Sequence, residues 1–221
     1  MGDLLLSVIP LGIGAAFTPS LFAVQLLVVD NDPWKLRALS AFLGAASAFG
    51  IAVTVLLLGF AQLQPSTNSH DVLDGLLRIA AAVALGAFAI YFFIPHPGLE
   101  KRVAADIEKR VAKSVPIEFF GITFLFSIKD FSSFVLIVPA MHDIGVADIS
   151  WLLKLGVTAL VFTLALSPLL FPPLMRTALG PTGRALLRKI YTFTMNHQFT
   201  IMGVIFSLLT VYLLVSGLNA L

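Results

Sequence analysis

Six stretches of this chain, approximately residues 4–29, 38–62, 73–94, 117–141, 151–175 and 199–218, stay apolar over the roughly 17–25 residues that a helix needs to cross a bilayer. Hydrocarbon offers no water to bond a free backbone N–H or C=O, so a stretch that crosses it must close its hydrogen bonds internally, as a helix. The 221 residues therefore read as one all-α integral membrane domain. Composition agrees: 58% of residues are hydrophobic and 12% charged, against about 25% charged in ordinary soluble domains. Short connections separate the runs and carry turn residues: NDPWK at 31–35, QPSTNSHD at 64–71, PHPG at 95–98 and LGPTG at 179–183.

The positive charges orient the bundle. Eleven of the 14 Lys and Arg residues lie on connections one, three and five, while only Arg78 and Lys154 lie on the other side and Lys129 falls inside a run. The positive-inside rule then predicts a multi-pass plasma-membrane protein with both termini outside. The opening MGDLLLSVIP has no basic leader and reads as the start of a retained helix. Two basic segments are predicted to lie along the inner surface as amphipathic helices. One, about 98–116, presents Lys101, Arg102, Lys109 and Arg110; the other, RALLRKIYTF at 184–193, presents Arg184 and Arg188. Membrane lipids are the partners these imply, and nothing in the sequence suggests nucleic acid.

The polar residues inside the runs carry the functional argument. FTPSLFAVQLLVV at 17–29 aligns without gaps on FSIKDFSSFVLIV at 126–138, pairing Phe17 with Phe126, Thr18 with Ser127 and Phe22 with Phe131. The two stretches lie three runs apart, so the second unit would be inverted: a 3+3 inverted repeat, about 1–97 and 117–221, of the kind behind many alternating-access carriers. Pro19 removes an N–H from the first helix and predicts an opening there, beside Thr18, Ser20 and Gln25. The fourth helix answers with Ser127, Lys129, Asp130, Ser132 and Ser133, and the fifth with Ser167–Pro168 and Pro172–Pro173. A lysine twelve residues from either end of its run does not reach an interface easily, and an ionisable group at that depth is a functional hypothesis by default. Adjacent residues on an intact helix do not face each other, so Lys129 and Asp130 can pair only if the helix is distorted.

These motifs resemble those of the GAP family (peptidoglycolipid- or sulfolipid-addressing proteins) within the LysE exporter superfamily. FTPS resembles the family's first-helix break. Ser127, Ile128, Lys129 and Asp130 align with an Asn-Pro-Lys-Asn type stretch. LDGLLR at 73–78 and NHQFTIMGVIFSLLTVYLLVSGL at 196–218 resemble the family's third and last helices. Two departures stand out: Ile128 replaces the proline of the fourth-helix motif, and Asp130 replaces its final Asn. The resemblance implies export of amino acids or cations in some branches and of cell-envelope glycolipids in the GAP-like branch.

Three readings follow. In the first, the chain flips a glycolipid or lipid-linked saccharide outward: Lys129 draws an anionic headgroup to the midplane, Ser127, Ser132, Ser133, Thr18 and Gln25 bond its hydroxyls, and Asp130 tunes Lys129 or takes up a proton. In the second it exports a small anionic or zwitterionic solute such as an amino acid. In the third it supports envelope assembly without transporting. A homodimer is the expectation for so small a carrier. An enzyme is not expected, because H-E-x-x-H, G-x-S-x-G and paired intramembrane carboxylates are all missing. No cofactor is expected either: there is no cysteine, and His70, His96, His142 and His197 lie near helix ends without ligand spacing. His142 and Asp143 read as interfacial.

Overall fold

In the computed structural model, residues 1–62, 69–94 and 115–221 are described, with side chains for all of these but 19–20, 69–71, 131, 181 and 195. The amphipathic segment at 98–116, with Lys101, Arg102, Lys109 and Arg110, falls almost wholly outside the described residues. The described residues form eight helices and no strand: α1 (Gly2–Ala15), α2 (Pro19–Asp30), α3 (Trp34–Phe60), α4 (Ser69–Phe93), α5 (Pro116–Lys129), α6 (Phe131–Val146), α7 (Trp151–Ala165) and α8 (Ser167–Ala220).

Three helices are long and apolar enough to cross a membrane unbroken: Trp34–Phe60, Val72–Phe93 and Asn196–Ala220. The other three apolar runs of the six are each divided; breaks were expected at Pro19 and in the fifth run. Run one becomes the two short helices α1 and α2. Run four becomes α5 and α6, bent by 70°, and run five becomes α7 and the 167–180 arm of α8, bent by 66°. Counting each bent pair as one span gives up to five spans.

Each break has a local cause. The residue before a proline is pushed out of the α region, and Thr18, before Pro19, sits at φ −118°, ψ 87°. Asp130 sits at φ −78°, ψ 76° with no proline beside it; its side chain accepts from the Ser133 N–H and so starts α6 as an N-cap. Leu166 (φ −90°, ψ 0°) precedes Ser167–Pro168 at the third break. Within α8, Gly180 takes φ +54°, which favours glycine and lets the helix turn before 184–193. That basic segment is helical, as expected.

Small residues bring the helices into backbone contact, the usual means of association where lipid is as apolar as leucine. α4 runs antiparallel to the C-terminal part of α8: Gly75 meets Gly217, Gly86 meets Thr210, and Phe93 meets Gly203. A Cβ on Gly75 or Gly217 would stand 3.0 Å from the other's carbonyl oxygen. At the α3–α5 crossing a Cβ on Gly44 would overlap the Phe120 carbonyl oxygen and the Thr123 hydroxyl, which itself donates to Ala41 O at 2.7 Å. One apolar core joins α1, α3, α4, α6, α7 and α8 around Phe49, Leu85, Leu136 and Phe206; a second joins α2 to Ala38, Phe119 and Leu187.

Gly44→Ala is expected to lower stability by about 1–3 kcal/mol through overpacking. Gly121→Ala, where nothing lies within 4 Å of the new methyl, is expected to be neutral or slightly stabilising. Unfolding of the two variants in detergent, followed by circular dichroism, checks the difference.

Candidate functional site

The first two breaks face each other. Asp130 Oδ2 accepts from the Thr18 hydroxyl at 2.5 Å and lies 2.5 Å from Ser133 Oγ, while Asp130 Oδ1 accepts from Ser132 Oγ at 2.6 Å. Thr18 Oγ1 and Ser133 Oγ are 3.2 Å apart, and Ser133 Oγ is also 2.8 Å from Ala15 O. Each hydroxyl has one proton to give, so the carboxylate, three hydroxyls and one carbonyl form a shared knot across both breaks. Thr18 and Ser133 are buried within it. The caps pair Thr18 with Asp130, whereas the ungapped sequence alignment pairs Thr18 with Ser127. The structural correspondence is thus shifted by three residues.

Proline chemistry places the donors. A carbonyl four residues before a proline has no N–H to accept from, and three such carbonyls are answered from distant helices. Ala15 O, before Pro19, meets Ser133. Leu169 O, before Pro173, accepts from Gln25 Nε2 at 2.8 Å. Leu6 O, before Pro10, shares the Tyr212 hydroxyl with Ser7 O, at 3.4 and 3.2 Å. Gln25, fully buried, therefore ties α2 to the bent arm of α8; its Nε2 also reaches Ala38 O at 3.3 Å.

Lys129 does not join the knot. It is exposed at the last turn of α5 and has no hydrogen bond or ion pair among the described residues, Asp130 included. A cation there also suits the negative end of the α5 dipole. Ser127, two residues back and on the opposite side of α5, is buried with its hydroxyl unbonded among the described residues. Pro19 and Ser20 open α2; their side chains lie outside the description.

Two cavities flank the breaks. An apolar groove of about 470 Å³ lies between the first and third breaks, lined by Phe17, Thr18, Phe22, Ser167, Pro168 and Phe171 among others, and it reaches Thr194 and Ile201 of α8. An open basic cavity of about 790 Å³ is lined by Arg184, Arg188, Lys189, Phe193 and His197, with Asp30 at its edge. Arg184 Nε donates to Asp30 at 2.7 Å, and that bond holds its pKa above the ordinary arginine value. Both cavities use the 192–201 stretch of α8.

A third cluster was not foreseen. At the end of the bundle near both termini, Arg78 Nε lies 2.8 Å from both Asp74 oxygens. Its Nη1 donates to Ser216 Oγ at 2.5 Å, and its Nη2 to Asp143 Oδ2 at 2.5 Å and Ser7 Oγ at 3.0 Å. His142 Nδ1 is 3.8 Å from Asp74 and 3.9 Å from Asp143. His142 is 1% exposed and the Asp143 side chain 9%: at this end of the bundle α6 turns them inward, where Arg78 pairs with Asp143. Asp74, His142 and Asp143 offer oxygen and nitrogen atoms within 4.8 Å of one another. The Arg78 guanidinium already bonds both carboxylates, so the place of a metal cation is taken.

With this geometry in view, a family model described as "Sap, sulfolipid-1-addressing protein" matches residues 8–219. The chain belongs to the Sap family. No curated protein and no solved structure matches it. As a Sap-family protein it carries the family's association with envelope lipid on a multi-helix membrane fold.

Asp130→Ala is expected to cost about 2 kcal/mol, through loss of the α6 cap and of the acceptor for the Thr18 and Ser132 hydroxyls. Lys129→Ala is expected to stay within about 0.5 kcal/mol of the parent, as an exposed change does. Detergent-unfolding midpoints of the two variants separate the roles.

Proposed function

We propose that this Sap-family chain is a carrier that moves an anionic glycolipid of the cell envelope across the plasma membrane, from inside to outside. The observation that carries the reading is the pair of cavities that share one stretch of α8: an apolar groove beside an open basic cavity. Together they suit an amphiphile with acyl chains and an acidic headgroup, such as a sulfated or phosphorylated glycolipid. Arg184, Arg188 and Lys189 would gather the headgroup, as basic clusters at a membrane surface do. Lys129, which has no partner among the described residues, would meet it at mid-depth, and Ser127 and Ser167 remain to bond its hydroxyls. Asp130 takes a structural part in this reading and is not the tuner of Lys129.

Broken helices facing each other at a midplane are typical of inverted-repeat carriers. The proposal accordingly includes a 3+3 arrangement, with α1–α4 as one half and α5–α8 as the other, both termini outside, and kinship to the LysE-type exporters. A small solute would leave the apolar groove without a role, so the lipid reading is preferred.

In proteoliposomes of the full chain, a labelled anionic glycolipid is expected to cross faster than an uncharged one and faster than a labelled amino acid. Loss of a charge-assisted contact of about 1.5–3 kcal/mol predicts at least about a tenfold slower rate for Lys129→Ala, with Lys129→Arg close to the parent. Equal rates for parent and Lys129→Ala contradict the role of Lys129. A rate no greater than that of empty vesicles contradicts transport itself.

A further inference from the structure

Around Arg78, Asp74 and Asp143 supply two negative charges and the guanidinium one positive charge, in a place where the Arg78 and Asp143 side chains are only 6% and 9% exposed. Among the described residues, the surrounding groups do not remove the excess. From α1 come Asp3 and Ser7, the first at the rim of a cavity of about 280 Å³ that opens onto the cluster. From α3 comes Phe60, whose ring stands edge-on to His142 at 5.1 Å. From α8 come Tyr212, which bonds the Leu6 and Ser7 carbonyls, and Ser216; the chain ends at Leu221, whose side chain packs on Gly75. From α7 comes Lys154, whose Nζ donates to Gly145 O at 2.6 Å and lies over the Trp151 ring. A buried charge left without compensation is strongly unfavourable. His142, within 4 Å of both carboxylates, offers ring nitrogens that can take up a proton.

We propose that the Asp74–Arg78–His142–Asp143 cluster is a proton-binding site, in which one proton shared among His142 and the two carboxylates brings the cluster to neutrality and locks α1, α4, α6 and α8 together at this end of the bundle. Loss of the proton restores the net negative charge, and the end loosens toward water through the adjoining cavity. In such a coupled group the proton belongs to the cluster and not to one residue. The charge count of the sequence puts this end outside the membrane. Its service as a proton-operated outer gate rests on the carrier reading above; the proton site itself does not.

The chain has no cysteine, so a single cysteine reports on the gate. Val146 lines the cavity, and exposed Asp148 is a reference at the same end. In purified full chain in nanodiscs, labelling of Val146→Cys by a membrane-impermeant maleimide, divided by that of Asp148→Cys to cancel thiolate chemistry, is measured across pH. On the order of a tenfold rise is expected between about pH 5 and about pH 8, where a histidine changes charge. Asp74→Asn removes the excess negative charge and is expected to give slow labelling throughout. His142→Gln is expected to abolish the step in this range. A flat ratio in the parent, or the same step in both variants, overturns the proposal. So does closure by added Zn²⁺ or Mg²⁺ at constant pH, which would make the cluster a metal site. If His142→Gln fails to fold, the near-isosteric Asp74→Asn decides alone. No substrate enters this experiment, so failed glycolipid flux with an intact pH step removes the carrier reading and leaves the proton site standing.

Discussion

A carbonyl released by proline inside a membrane cannot turn to water, and each unsatisfied group there costs several kcal/mol. Much of this molecule is arranged around that constraint. Pro10, Pro19 and Pro173 release Leu6, Ala15 and Leu169, and the donors that answer them are Tyr212, Ser133 and Gln25. Each donor sits on a different helix from its acceptor and lies far away in sequence. The bonds that repair the breaks are therefore also the bonds that assemble the bundle. Asp130 extends the same logic without a proline: one carboxylate caps α6 and receives the hydroxyl of Thr18 from the opposite break.

This division of labour narrows what is left for a ligand. Thr18, Gln25, Ser132, Ser133 and Asp130 are occupied in holding the breaks. Among the described residues Lys129, Ser127 and Ser167 are not, and each lies close to a break between divided helices. The proposed cargo, an amphiphile with an acidic head, is chosen to suit the family's envelope-lipid association and the adjoining apolar and basic cavities. A polar knot between two divided helices is also a reasonable pivot, since a few hydroxyl–carboxylate bonds can be exchanged without exposing apolar core.

The apolar runs, the helical class and the breaks at Pro19 and Pro168 were legible in the sequence because they depend on local chemistry. The break at Asp130 was half-legible. The expected proline was replaced by Ile128, yet an aspartate followed by Ser132 and Ser133 is a helix-start signal in its own right. The sequence pairs Thr18 with Ser127, whereas the residues that cap the helices after the two breaks are Thr18 and Asp130; apolar runs align in several ways, and caps are not visible in them. Most hidden was the Arg78 cluster. Asp74 and Arg78 stand one turn apart on α4, and His142 and Asp143 are neighbours on α6, so each pair was visible alone. Their meeting depends on the packing of α4 against α6 and α8, where Gly75 and Gly217 permit close approach, and no local pattern encodes it.

The central claim is that the breaks of runs one and four meet. Disulfide formation between Thr18→Cys and Ser133→Cys in this cysteine-free chain tests it directly, because the two hydroxyl oxygens stand 3.2 Å apart. Replacement sulfurs at those positions are within reach of the ~2.05 Å bond. Mild oxidation of the double variant in native membranes is predicted to give a near-complete intramolecular crosslink, seen as a reducible mobility shift after cleavage engineered into the 64–68 connection. Absence of that crosslink in well-folded protein would contradict the account.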